Sequence, residues 1–136
     1  INDSFIGSYL ATIQYLEKYR IGVQVCEMYL KEHKTAHILH KYGNFLTEIG
    51  SYKSSLKAYE KAIALADSDK HRAILNHNLI RLCMDSINAS NPVINKKEII
   101  QFTENAYRNV CNLNPAFQYI DDSLKFKNKI KKKYDK

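Results

Sequence analysis

Apolar residues recur at steps of three and four along nearly the whole chain. Ile6, Tyr9, Leu10, Ile13 and Leu16 form one such run, and Tyr19, Val23, Cys26, Tyr29 and Leu30 a second. Ile38, Leu39, Tyr42, Leu46 and Ile49 form a third, and Leu56, Tyr59, Ala62, Ile63 and Leu65 a fourth. Ile74, Leu75, Leu79, Leu82, Cys83 and Ile87 follow, then Ile99, Ile100, Tyr107, Val110 and Cys111, then Phe117, Ile120, Leu124 and Tyr134. This spacing places each set on one face of an α-helix, and nowhere does the strict alternation of a strand replace it. The punctuation agrees. Asn2-Asp3-Ser4, Thr35 and Asp67-Ser68-Asp69 supply helix caps, Gly50 stops the third helix, 88–95 reads as a loop, and Asn114-Pro115 opens the last helix. The pattern predicts an all-α protein of about seven helices.

A longer period lies over the short one. Ile6, Tyr9, Leu10 and Ile13 return 33 residues later as Leu39, Tyr42, Gly43 and Leu46. Tyr19, Gly22, Cys26, Tyr29 and Leu30 return at the same distance as Tyr52, Ser55, Tyr59, Ala62 and Ile63. A fixed period of this length, built from paired amphipathic helices, predicts an α-α superhelix, a solenoid in which neighbouring pairs share one core.

Composition narrows the class without changing it. Four Gly and two Pro in 136 residues argue against a turn-rich sheet protein. The net charge of +7 is a terminal feature: residues 123–136 hold seven Lys and one Asp, and the first 122 are nearly neutral. A folded basic stripe, the usual mark of a nucleic-acid binder, is missing, which speaks against a nucleic-acid partner. The lysines Lys125, Lys127, Lys129, Lys131, Lys132 and Lys133 read first as a solvated helix end, favourable beside the C-terminal dipole. Their second reading is contact with an anionic surface, RNA or membrane. Three Cys without a C-x-x-C suggest neither a disulfide framework nor a zinc site. No apolar stretch is long enough to cross a bilayer and no leader is visible, so the expectation is a cytoplasmic chain.

The middle repeat carries a resemblance. Leu39-x2-Tyr42-Gly43-x2-Leu46 followed by Gly50-x-Tyr52-x2-Ser55-x3-Tyr59-x2-Ala62 resembles the tetratricopeptide repeat, whose pattern is W-x2-L-G-x2-Y, A-x3-F-x2-A and a proline. His77-Asn-Leu-Ile-Arg-Leu-Cys83 and Thr103-x3-Tyr107-x2-Val110-x4-Pro115 are similar to the two helices of a third, interrupted repeat. The first repeat departs from the pattern, with Leu10 and Tyr29 at slots the family keeps small. The resemblance implies one domain over 1–136, with repeats at about 3–35, 36–69 and 73–114 and a capping helix at about 115–134. It places Gly43, Ser55 and Ala62 where helices cross closely.

It also implies a function. Family members hold peptides in a concave groove lined by the first helix of each pair, here Ser4, Gly7, Ala11 and Gln14, then His37, His40, Asn44 and Thr47, then Ile74, His77, Arg81 and Met84, with Asn78 beside them. Helical spacing independently puts His37, His40, Asn44 and Thr47 opposite Leu39, Tyr42 and Leu46. Asn44 and Asn78 match two slots that some members use to clamp acidic chaperone tails, but His40 replaces the lysine and no third set follows. The expectation is therefore a scaffold or adaptor that binds another protein or peptide, with an acidic one the best chemical match. The alternative is a structural or oligomerisation segment of a larger protein, one that can be membrane-linked or form homo-oligomers. Nothing in the sequence assembles a catalytic constellation, a cofactor loop or a metal set. His33, His37 and His40 straddle a helix break and have no carboxylate at ligand spacing.

Overall fold

The computed structural model describes residues 3–135, with side chains from Phe5 onward. It consists of seven helices and, among the described residues, no strand: α1 (Asp3–Tyr15), α2 (Tyr19–Leu30), α3 (Ala36–Glu48), α4 (Tyr52–Leu65), α5 (Asp69–Asn88), α6 (Ile99–Leu113) and α7 (Ile120–Tyr134). They group into two compact units, Ile1–Leu65 and Ala66–Lys136, where the sequence pattern suggests one domain. The division falls near the end of the second expected repeat. Any cap formed by Asn2-Asp3-Ser4 lies outside the described side chains.

Local chemistry sets the helix ends. The Thr35 hydroxyl accepts from the Ile38 amide at 3.2 Å and Ser68 accepts from the His71 amide at 3.1 Å, each relieving one of the unpaired donors of a first turn. Three helices end in the same paired-carbonyl turn. In α3, Gly50 N–H donates to Thr47 O and Ser51 N–H to Leu46 O. The identical pair closes α1 through Glu17 and Lys18, and α5 through Ser90 and Asn91. This turn requires a left-handed residue. Gly50 takes it at φ 82°, but Glu17 and Ser90 adopt it with side chains, at φ 58° and 57°.

In the first unit, α3 packs on both α1 and α2, and α4 packs on α3. Ile6, Leu10, Ile13, Cys26, Ile38 and Phe45 form the core. Two glycines permit the close crossings. A methyl on Gly22 would stand 2.7 Å from the Phe45 ring, and one on Gly43 would stand 2.5 Å from the Tyr59 ring. Ser55, fully buried, donates its hydroxyl to the Gly43 carbonyl at 2.8 Å, which ties α4 to α3 at that crossing. Tyr9 and Leu16, expected on the buried face of α1, are exposed. Tyr9 lies at the edge of the Ile6–Leu10–Ile13 stripe, about 70° from its centre, and Leu16 follows the end of α1.

In the second unit, α5 and α6 form a hairpin and α7 lies against both. Cys83, Ile87, Ile99 and Ile130 form its core. Ser86 organises the connecting loop: its hydroxyl donates to Cys83 O and accepts from the Val93 amide. Two expectations change here. The last helix starts at Ile120, not at Pro115, because 115–119 folds as successive turns, with Phe117 N–H donating to Asn114 O and Ile120 N–H to Phe117 O. The face of α7 that docks is Ser123, Lys127 and Ile130, one position round from the expected Ile120 and Leu124.

Candidate functional site

Each unit carries a cleft at residues the sequence reading singled out. In the first unit, a cleft of about 530 Å³ runs between α1 and α3. Gly7, Ser8 and Ala11 form one wall and His37, His40 and Lys41 the other, with Thr35 and Ile38 below. The first wall has almost no side-chain bulk, so a ligand backbone can approach α1 closely. Among the described residues no carboxylate lines the cleft. Lys41 Nζ donates to Gln14 Oε1 at 3.0 Å, which bridges the two helices beside it. The His40 ring meets Tyr59 edge-on at 6.2 Å between centroids.

Of the four α3 residues expected in the groove, His37 and His40 line the cleft and Asn44 is half-buried beyond it. The Asn44 side-chain oxygen accepts from the Tyr59 hydroxyl at 2.7 Å, which fixes the direction of its amide. Thr47 is a correction. Its hydroxyl lies 2.7 Å from Ser55 Oγ and donates to Gly43 O at 2.9 Å, so it belongs to the α3–α4 contact. Thr47, seven residues on from His40, keeps to the same helix face, but two turns further along that face meets Ser55 of α4. Lys41 was missed, although its place one turn after His37 put it on the same face. Gly7 and Ala11 lie where expected, and the Ser4 side chain lies outside the described residues.

In the second unit, a cleft of about 360 Å³ opens between α5 and the segment 117–126. Ile74, His77, Asn78 and Arg81 line it from α5. His77 corrects the expectation of an open polar strip. It is buried, its Nδ1 lies 2.5 Å from Ser123 Oγ, and rings surround it: Phe117 edge-on at 5.5 Å, Tyr119 stacked at 5.9 Å and Phe126 at 6.3 Å. Burial, with Arg81 adding to it and Asp122 opposing, lowers the His77 pKa to about 4, so the ring is neutral at pH 7. Arg81 is exposed, and Asn78 is half-buried at the rim. The aromatic lining was not foreseen. Phe117 and Tyr119 stand two apart, a spacing no single helix face accommodates, and that was the available sign that 115–119 is not helical.

The lysine set divides. Lys125, Lys129, Lys131, Lys132 and Lys133 are exposed, and Lys125, Lys129 and Lys132 share one face of α7. Lys127 does not belong with them. It is 9% exposed, its Nζ donates to Glu104 Oε1 at 2.8 Å, and it stands 5.3 Å over the Tyr107 ring. That hydrogen bond pulls the Glu104 carboxyl below its ordinary value. The cation is satisfied inside the α6–α7 contact and cannot face an external anion.

The cysteines carry no reactive chemistry at the core. Burial pushes the Cys26 and Cys83 thiols up to about 12, far from the thiolate form. His33 stacks on Tyr29 at 4.8 Å, and no group of three metal-binding side chains comes together among the described residues. No described helix is long and apolar enough to cross a membrane. No protein-family profile, curated protein or solved structure matches this chain.

Proposed function

We propose that the chain is a non-catalytic protein- or peptide-binding scaffold, a tetratricopeptide-like helical repeat that holds an acidic peptide segment between α1 and α3. The observation that carries this reading is the asymmetric cleft of the first unit, small residues on one wall and His37, His40 and Lys41 on the other. The small wall suits a ligand main chain. The other wall brings two imidazole rings and the Lys41 ammonium to a carboxylate, and none of the described lining residues is an acid that would repel it. The first turn of α3 lies beside it, and its dipole favours the same sign of ligand. The superhelical reading draws on the 33-residue recurrence and on the packing of α3 against both helices of the preceding pair.

The test is affinity capture from source-cell lysate with the wild-type chain and with His37→Ala/His40→Ala/Lys41→Ala, read by mass spectrometry. A Glu-rich dodecapeptide serves as a defined probe by fluorescence anisotropy. The expected result is a protein captured by the wild type and lost by the variant, with probe affinity falling as salt rises. Equal capture by both chains overturns the proposal.

A second reading, assembly through the first unit, rests on a different surface. Phe5 and Met28 are 60% and 70% exposed and flank a hollow of about 440 Å³ with Tyr9, Val25 and Tyr29. A helical pair whose outer face stays apolar is what an unstacked repeat leaves exposed. Sedimentation equilibrium decides between the two: self-association that Phe5→Lys/Met28→Lys abolishes supports assembly, and a monomer at all micromolar concentrations rejects it.

A further inference from the structure

We infer that the cleft of the second unit is an anchor pocket for one uncharged aromatic or branched aliphatic side chain of a bound peptide. The inference takes the kind of ligand from the peptide-binding reading above, but its site and its chemistry are separate.

Size comes first. About 360 Å³ lies at the low end of the range for ligand pockets and has room for one large side chain. The walls come next. Phe117 is buried, and Tyr119 beside it is 47% exposed. Tyr119 is held from two sides, stacked on His77 at 5.9 Å and edge-on to Phe117 at 5.6 Å. A half-exposed ring already fixed by its neighbours loses little conformational freedom when a ligand covers its open face, and that lowers the cost of binding. Aromatic walls reward another ring or a branched aliphatic group.

Charge then selects among occupants. The ionised groups in the lining are Arg81 and Asp122, one of each sign, and His77 is neutral. A carboxylate gains Arg81 and meets Asp122, and an ammonium gains Asp122 and meets Arg81. Neither has a net advantage, and either is desolvated by the rings. An uncharged side chain avoids that cost. Gln118 stands in the same lining beside Asn78, and the Gln118 amide can both donate to and accept from a peptide main chain. The combination is an apolar pocket with an amide group for the backbone that carries the inserted side chain.

The test uses the whole chain, isotope-labelled, in an NMR titration with N-acetyl-phenylalanine amide. N-acetyl-aspartate amide and N-acetyl-lysine amide run in parallel. The expected result is saturable shifts confined to residues 74–81 and 117–126, with roughly millimolar affinity for the phenylalanine probe. Tyr119→Ala weakens it about five- to tenfold, and Tyr119→Phe retains it, because the ring and not the hydroxyl forms the wall. Equal or tighter binding of the charged probes, or no shifts at those residues, overturns the inference. Shifts here with no response of residues 7–11 and 35–41 to the Glu-rich peptide leave this pocket standing and remove the acidic-peptide reading. The reverse pattern does the opposite.

Discussion

His77 Nδ1 and Ser123 Oγ stand 2.5 Å apart, both buried, and join α5 to α7 across 46 positions of sequence. The burial of His77 at this contact makes stability depend on pH. Folded His77 stays neutral down to about pH 4, whereas the unfolded chain takes up its proton near 6.5. Between those values the unfolded state binds more protons, so stability falls as pH falls. The slope contributed by this one group approaches about 1.4 kcal/mol per pH unit at most. Urea midpoints measured from pH 7 to 5, above the carboxylate range, show that decline in the wild type. His77→Gln, which cannot titrate, is expected to flatten it, and an unchanged slope in that variant removes the assignment.

The Gly43–Tyr59 crossing makes a sharper stability prediction. Tyr59 is buried and its hydroxyl is anchored on Asn44, so the ring cannot swing clear of an added methyl. Gly43→Ala places a carbon 2.5 Å from that ring. The gain in helix propensity, about 1 kcal/mol, is outweighed by overpacking of up to about 3 kcal/mol. Denaturant unfolding is expected to show net loss. Gly7→Ala, where the added methyl meets nothing within 4 Å, is expected to be neutral or stabilising.

Left-handed residues give an opposite pair. Glu17 holds φ 58° at the end of α1 with a side chain that disfavours it. Glu17→Gly is expected to raise stability by about 0.5–1 kcal/mol, and Gly50→Ala to lower it by about 1 kcal/mol. Thermal melts of the two variants moving in the same direction contradict this account.

Position along α7 separates structural from surface lysines. Lys127→Ala removes the partner of Glu104 inside the α6–α7 contact and is expected to cost about 1–3 kcal/mol. Lys129→Ala, two positions on and exposed, is expected to change stability by less than about 0.5 kcal/mol. Chemical denaturation of the two single variants distinguishes them.

The helices were legible from residues alone because their causes are local. Steps of three and four in apolar residues, the hydroxyls of Thr35 and Ser68 and the left-handed turn at Gly50 act within a few positions of the chain. They marked the start of α3 after Thr35, its end before Gly50 and the start of α5 after Ser68. The resemblance to the tetratricopeptide pattern implied small residues at a helix crossing for Gly43 and Ser55, and both stand at the α3–α4 contact. The polar faces were not legible in the same way. Spacing puts His77, Thr47 and Lys127 on helix surfaces, but whether such a group meets water or another side chain depends on what docks there. Ser123 and three rings cover His77, Ser55 engages Thr47, and Glu104 holds Lys127. Each of these partners comes from another segment of the chain. Local periodicity determines which way a side chain points, and only the packing of distant helices determines what it finds.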